Sequence, residues 1–220
     1  MQRISNEYFF RKNNVLENDR SKYVVIKNWL DTELYNHTQQ NNEKLNLLFL
    51  AWLEKDKGIF DLIRAIDIIV KNGLKNFELQ IAGKGKDEKE AELLVKELNL
   101  GEYIKFYGWV LGERKMDLLA NSEIFILPSY YEGSPNALLE AMASGNACIT
   151  TGVGAIPDII KNGNNGIISP KSNILELSKN ISFLINKEET RNQMSTNAME
   201  YVKEYHDIKV AIKQFEIILN

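Results

Sequence analysis

The sequence has little of the residues on which several kinds of protein depend. Of its 220 residues, one is cysteine, two are histidine and four are proline. Cys148 has no partner for a disulfide within the chain, so a cytoplasmic, reducing compartment is the simplest interpretation. His37 and His206 lie far apart, and neither has metal-ligating or catalytic residues around it in the sequence. We therefore expect no metal site and no histidine base.

Long apolar runs are also absent. No segment approaches the roughly 20 apolar residues of a membrane-spanning helix, and residues 1–20 lack the apolar core of a signal peptide. The net charge is −3, which favours neither nucleic acid nor an anionic membrane as a partner. Gly83-Lys-Gly85 continues as Lys-Asp-Glu, so the glycine fingerprint of NAD-binding proteins is missing.

What the sequence does contain, from residue 45 onward, is an alternation of short apolar runs and stretches with apolar residues at helical spacing. This alternation predicts an α/β fold, a parallel sheet with helices on both faces. The predicted strands are 45–51, 77–82, 103–107, 123–127, 147–150 and 166–169. The predicted helices are 58–71, 87–98, 113–120, 134–144, 156–161, 173–186, 188–204 and 207–219.

Residues 1–44 differ in kind from the rest. They are rich in asparagine, glutamine and charge, and they include one strand-like piece at 22–26 and a polar linker at 36–44. They are too few for a domain. We expect one domain at 45–220, preceded by a remnant of another domain and a linker.

The segment 128–145 carries the strongest functional signal. A buried strand is predicted to end at Pro128, and a helix to begin at Ser134 as N-cap with Pro135 at its first position. Free N–H groups at such a helix start favour an anion, while Glu132 and Glu140 on either side suit hydroxyl groups. This pattern indicates a polyhydroxylated phosphate such as a sugar nucleotide. The alternative is that Glu132 is an ordinary loop carboxylate and Glu140 a solvated helix residue.

Glycines lie in the loops that follow several of the predicted strands. In a parallel sheet these positions share one edge, where ligands bind, and glycine permits close approach of backbone to ligand. Each glycine alone is most simply a turn former. They are Gly83, Gly85, Gly108, Gly133, Gly152 and Gly154.

These motifs together resemble the C-terminal, donor-binding domain of group 1 (family 4) glycosyltransferases, which have the GT-B fold of two Rossmann-like domains. The resemblance runs from about Val24 to the end, and its most specific part is Glu132 to Glu140, a glutamate–seven residues–glutamate motif. Lys57-Gly58, Gly83-Lys-Gly85 and 106–108 match as well. So do 154–160 and the linker-like piece 26–31.

The resemblance implies a role for each residue. Glu140 would hold the ribose and Glu132 the transferred sugar, while Lys57 would neutralise the diphosphate. Other donor-binding positions would be Gly133, Ser134, Asn136, Ala137 and Leu138 at the helix start, Gly83, Tyr107 and Gly108 around the base, and Trp52 and Gly154. The implied activity is retaining hexosyl transfer from a nucleotide sugar without metal or other cofactor, in polysaccharide or lipopolysaccharide assembly. The saccharide or lipid-linked acceptor would bind a missing N-terminal domain, and the full enzyme would work in the cytoplasm or at the inner face of the membrane.

One departure from the family pattern leaves alternatives open. The family has an arginine where this chain has Trp52, so a second diphosphate-binding cation is missing. Trp52 thus favours a catalytically inactive nucleotide-sugar binding module as the alternative. A further alternative is another GT-B enzyme, such as a nucleotide-sugar epimerase. Without the opposite domain we expect no sugar transfer, and we expect Trp52 and Tyr131 to be exposed.

Overall fold

The computed structural model of the protein describes residues 27–35 and 43–219. Within them six strands form one sheet in which all pairs are parallel. The strands are β1 (Leu45–Leu50), β2 (Phe77–Ala82), β3 (Ile104–Gly108), β4 (Ile124–Leu127), β5 (Ala147–Thr151) and β6 (Ile167–Ser169). The predicted α/β fold is confirmed. The predicted strand at 22–26, most of the linker at 36–44, and His37 lie outside the described residues.

The helices alternate with the strands as the periodicity predicts, within a few residues at each end. They are α1 (Ile59–Lys71), α2 (Glu88–Glu97), α3 (Gly112–Ala120), α4 (Asn136–Ala143), α5 (Ile156–Ile159), α6 (Ile174–Asn186), α7 (Glu188–Tyr205) and α8 (Ile208–Leu219). Two short 3-10 turns, Thr32–Tyr35 and Lys55–Lys57, precede β1 and α1.

The core lies on both faces of the sheet. Strands β2, β4 and β5 are buried along their whole length, as expected of strands covered on both sides. Given the order of the strands in the sheet and the general rule that crossovers between parallel strands are right-handed, α1 and α2 are expected on one face and α3 to α5 on the other. Helix α6 then packs against α1, and α7 against α4, which closes the two outer layers.

The strand order is β3-β2-β1-β4-β5-β6. Connections therefore run in one direction from β1 to β3 and in the other from β4 to β6, and β1 and β4 are neighbours at the point of reversal. In doubly wound sheets the crevice at this switch point, at the carboxyl ends of the strands, is where ligands bind. The loops after β1 and β4 are those that carry Lys57 and Glu132.

Residues 27–35 lie on this domain rather than apart from it. The N–H of Leu30 donates to the carbonyl of His206 (2.9 Å), and the N–H of Ile208 donates to the carbonyl of Leu30 (2.9 Å). The segment is thereby fixed at the junction of α7 and α8, and its 3-10 turn carries the buried Tyr35. These contacts attach the segment directly to the domain.

Candidate functional site

The loops after β1 and β4 meet at the switch point. Gly58, which precedes α1, has φ +75°, and a Cβ there would lie 2.1 Å from the carbonyl oxygen of Pro128. Only glycine permits this approach of the two loops. The N–H of Tyr130 also donates to the carbonyl of Asp56 (2.7 Å). Lys57, immediately before Gly58, is thus held beside the loop that follows β4.

Lys57 and Glu132 form an ion pair across this junction. The Nζ of Lys57 lies 2.7 Å from Oε1 of Glu132, and the hydroxyl of Ser129 donates to the same oxygen at 2.7 Å. The Glu132 side chain is 8% exposed and that of Lys57 is 23% exposed. A buried carboxylate needs such partners to remain charged. Glu132 is therefore not the solvated loop carboxylate of the alternative interpretation.

Gly154 closes the other side of the Glu132 loop. It has φ +60°, and a Cβ there would lie 1.9 Å from the carbonyl oxygen of Glu132. The N–H of Ala155 donates to the carbonyl of Gly133 (2.9 Å). The glycine at this position lets the loop after β5 support the Glu132 loop.

Glu140 has a different set of partners. Its Oε1 accepts from Nζ of Lys115 on α3 at 2.8 Å and from the hydroxyl of Tyr35 at 3.2 Å. Burial and the negative charge of Glu140 raise the pKa of Tyr35, so its hydroxyl stays protonated and acts as the donor. The Glu140 side chain is 16% exposed. Like Glu132, it is not a solvated carboxylate.

The start of α4 differs from the prediction in one respect. The helix begins at Asn136, Pro135 occupies the N-cap position with φ −74° and ψ 112°, and no side chain caps it. The prediction of Ser134 as N-cap and Pro135 as first helical residue is wrong, because the carbonyl of Pro135 rather than that of Ser134 opens the helix, accepting from the N–H of Leu139. Proline suits this place because it has no N–H to satisfy.

The first turn of α4, which includes Asn136, Ala137 and Leu138, presents N–H groups that have no acceptor within the helix. These groups and the helix dipole favour an anion at this end. Asn28 reaches the same end: its Nδ2 donates to the carbonyl of Ser134 (3.1 Å) and to Oδ1 of Asn136 (2.9 Å). The N–H groups that favour an anion therefore lie between the two carboxylates in the sequence. The helix begins at Asn136, shortly after Glu132 and one turn before Glu140.

The glycines after β2 and β3 pack against neighbouring loops. Gly83 has φ +145°, and a Cβ there would lie 1.9 Å from the carbonyl oxygen of Ala51. Its N–H donates to the carbonyl of Gly108 (2.8 Å), which has φ +65°. The half-buried ring of Tyr107 lies under the guanidinium of Arg114, 5.9 Å from the ring centroid. These residues form a continuous edge beside the end of β1.

Trp52 lies on this edge and is 54% exposed. Its ring packs against that of Trp109, with centroids 4.9 Å apart. Tyr131 is 60% exposed, so the expectation that both Trp52 and Tyr131 face solvent is confirmed. The position at which the family pattern has arginine thus carries an aromatic pair with no charge.

Sequence reasoning missed three residues that contact the two carboxylates, namely Lys115, Tyr35 and Ser129. Ser129 had a local signal, because it lies three residues before Glu132 in the same loop. Lys115 and Tyr35 are 25 and 105 residues from Glu140, and nothing in their surroundings marks them.

The described residues contain neither a metal-binding cluster nor a membrane-spanning helix. Among residues 27–35 and 43–219, no three or more His, Cys, Asp or Glu side chains gather where they could hold a metal ion. No helix in the same ranges is long and apolar enough to cross a membrane.

Residues 31–201 match the family described as "Glycosyl transferases group 1". The chain belongs to this family. It is 31% identical over 195 residues to an uncharacterized glycosyltransferase of Methanocaldococcus jannaschii, and the aligned region covers 88% of this chain and 52% of that protein. It is 27% identical over 190 residues to the capsular polysaccharide biosynthesis glycosyltransferase CapM of Staphylococcus aureus, with 81% and 47% covered. The chain spans about half the length of these curated relatives.

Solved glycosyltransferase structures share the fold. HepE of Anabaena, determined with UDP and glucose, superposes with a TM-score of 0.78 at 19% identity, covering 89% of this chain and 56% of that one. The C-terminal domain of LpcC, a group 1 family glycosyl transferase of Francisella tularensis, gives 0.72 at 23% identity and covers 81% of this chain and 99% of that domain. This likeness confirms the Rossmann-like fold of GT-B glycosyltransferases.

Proposed function

We propose that residues 45–220 bind the nucleotide-sugar donor of a retaining glycosyltransferase. The observation that carries the proposal is the Lys57–Glu132 ion pair at the switch point, next in sequence to the uncapped start of α4. A cation, a carboxylate and free N–H groups at one crevice match the phosphates and hydroxyls of a sugar nucleotide. Membership of the family and the likeness to HepE, whose structure contains UDP and glucose, support it.

In the proposed mechanism the diphosphate lies at the N-terminus of α4. When the sugar leaves, negative charge grows on the diphosphate, and fixed N–H groups with Lys57 stabilise that charge without reorganisation. Lys57 has three N–H donors and uses one on Glu132, which leaves others for phosphate oxygens. The Lys57–Glu132 contact would then hold phosphate and sugar sites side by side.

Glu132 binds the transferred sugar in this proposal, and Glu140 the ribose. Gly83, Tyr107 and Gly108 line the place of the base, and Gly154 supports the Glu132 loop. Retention of configuration follows if the departing phosphate lies next to the attacking hydroxyl, so no protein nucleophile is required. No residue is assigned to a metal.

The acceptor site is proposed to lie on an opposite, N-terminal domain. The match of almost all of the LpcC C-terminal domain to this chain supports the assignment of residues 45–220 to the donor half. CapM, named for capsular polysaccharide biosynthesis, supports a saccharide or lipid-linked acceptor in surface polysaccharide or lipopolysaccharide assembly. The proposed place of this work is the cytoplasm or the inner face of the membrane. The buried, unpaired Cys148 agrees with a reducing compartment.

The second candidate is a binding module without catalysis. The observation in its favour is Trp52, which puts an aromatic pair with Trp109 where a diphosphate-binding cation is expected. Both candidates bind a nucleotide sugar, and only the enzyme turns it over.

Calorimetric titration with UDP, GDP and ADP tests donor binding. We expect one of them to bind and Lys57→Met to weaken that binding about tenfold or more, the loss of a charge-assisted contact. Lys105→Met is the matched control, because Lys105 pairs with Glu78 (2.6 Å) outside the crevice. An unchanged affinity in Lys57→Met contradicts the proposal. So does a protein that binds none of the three nucleotides. Release of sugar from the donor, measured in a protein that also carries the proposed acceptor domain, distinguishes the two candidates. We expect it of the enzyme and not of the binding module.

A further inference from the structure

We propose that Lys115 and Tyr35 are positioning residues that orient Glu140 toward the ribose and thereby make the site selective for ribonucleotides. The inference rests on the proposed donor-binding function. Both donors meet at Oε1 of Glu140, from Lys115 at 2.8 Å and from Tyr35 at 3.2 Å. No described residue donates a hydrogen bond to Oε2. One carboxylate oxygen is held by protein, and the other remains for a ligand.

The two donors fix the carboxylate because they come from separate, anchored elements. The terminal torsion of a glutamate is broad, so a single flexible partner leaves the direction of the second oxygen undefined. Lys115 lies in the middle of α3, and Tyr35 ends a 3-10 turn that the Leu30–His206 hydrogen bond fixes to the domain. A carboxylate held from two such points presents Oε2 in one direction.

Charge gives Lys115 a second effect. Glu140 lies one turn inside α4, close to the end where the diphosphate would bind, and an unpaired carboxylate there would repel phosphate. Lys115, whose side chain is 25% exposed, neutralises that charge at 2.8 Å. Glu140 then accepts hydroxyl donors strongly, as an ionised group does, without opposing the phosphate beside it.

A direct contact of Lys115 with phosphate is the competing explanation, and the two predict different selectivity. If Lys115 acts through Glu140, its loss reduces the preference for a ribose over a deoxyribose. If Lys115 touches phosphate, its loss weakens both nucleotides by the same factor. A merely structural role has that same uniform effect.

The test compares UDP with 2′-deoxy-UDP by calorimetry, in the wild type, Lys115→Met, Lys115→Arg, Tyr35→Phe and the control Lys105→Met. If GDP or ADP binds better, that nucleotide and its 2′-deoxy form are used. We expect the wild type to prefer the ribonucleotide about tenfold, the factor of one hydrogen bond to a charged group. Lys115→Met should reduce the preference to less than about threefold, Tyr35→Phe should reduce it partly, and Lys115→Arg should restore most of it.

Each contrary outcome has a separate meaning. If the wild type binds the ribonucleotide and the deoxynucleotide equally, Glu140 does not bind the ribose 2′-hydroxyl. That result overturns this inference but does not contradict the proposed donor binding. A normal preference in Lys115→Met also overturns it. A wild type that binds none of the nucleotides contradicts the proposed function itself, and the inference with it.

Discussion

Removing Lys57 should destabilise the protein more than removing the charge of its partner. In Lys57→Met, the Glu132 carboxylate stays 8% exposed with its cation gone, while Ser129 still donates to Oε1. Breaking a buried ion pair in this way costs about 3–5 kcal/mol. Because Lys57 is itself 23% exposed and Ser129 remains, we expect a smaller loss, about 2–3 kcal/mol.

In Glu132→Gln the group left behind is different. The amide keeps the size of the side chain, and the unpaired Lys57 ammonium has access to water through its exposed quarter. We expect a loss of about 1 kcal/mol, that of one hydrogen bond. The double variant Lys57→Met/Glu132→Gln should lose less than the sum of the two single variants, since the two charges that interact are then removed together.

Thermal unfolding followed by circular dichroism, with urea unfolding alongside, measures these differences. For a domain of this size, about 2–3 kcal/mol lowers Tm by roughly 5–10 °C. Lys179→Met is the control, because its pair with Glu176 is solvent-exposed on both sides (62% and 39%), and it should have the same stability as the wild type. If Lys57→Met is as stable as Glu132→Gln, the Glu132 carboxylate is not held as a buried charge and the reasoning is refuted.

Three further predictions concern the sugar, the loop packing and pH. Glu132→Ala should weaken a nucleotide sugar but hardly change the free nucleoside diphosphate, and an equal loss of both in calorimetry would remove Glu132 from the sugar site. Gly154→Ala should lower the free energy of unfolding in urea by well over about 1 kcal/mol, because its Cβ would lie 1.9 Å from a carbonyl oxygen. The control Gly163→Ala has φ +79° and no atom within 4 Å of the added Cβ, so it should lose only the energy of the backbone strain. Burial lowers the pKa of His206 to about 4 from 6.5, so the unfolded state binds the proton more readily and stability falls as pH drops from 6.5 toward 4. At pH 5 we expect a loss of about 2 kcal/mol that His206→Gln removes, and equal slopes in wild type and variant would contradict it.

Much of the fold followed from local patterns. The alternation of apolar runs and helical periodicity places every strand and helix from residue 45 onward to within a few residues, because burial on both faces leaves continuous apolar strands. The start of α4 did not follow. Ser134 has the right chemistry for an N-cap, but the N-cap position falls on Pro135, and propensity alone does not decide between adjacent residues.

The candidate site was predictable in its carboxylates and not in their partners. Glu132 and Glu140 stand in one short motif, whereas the lysines that pair with them lie 75 and 25 residues away. Such contacts depend on how loops from different strands meet at the sheet edge. Gly83 was predicted to permit close approach of a ligand, whereas its missing side chain makes room in the structure for the backbone of Ala51.

The junction of β1 and β4 has a consequence for how ligand binding can be detected. These strands pair only at Leu47↔Ile124 and Leu48↔Phe125, with Asn46 and Glu123, 77 residues apart, bonded at one end. Contacts so distant in sequence are expected to form slowly and late in folding. At the opposite end, the candidate site's own loops complete the connection between the two halves of the sheet.

A ligand bound across those loops would therefore join both halves of the sheet and stabilise the whole domain rather than a single loop. By mass action, a ligand at one hundred times its Kd adds about 2.7 kcal/mol to the free energy of unfolding. For this domain that is a rise in Tm of roughly 5–10 °C. A melting curve of the unlabelled protein is thus a sensitive first screen among nucleotide sugars, before any acceptor is known.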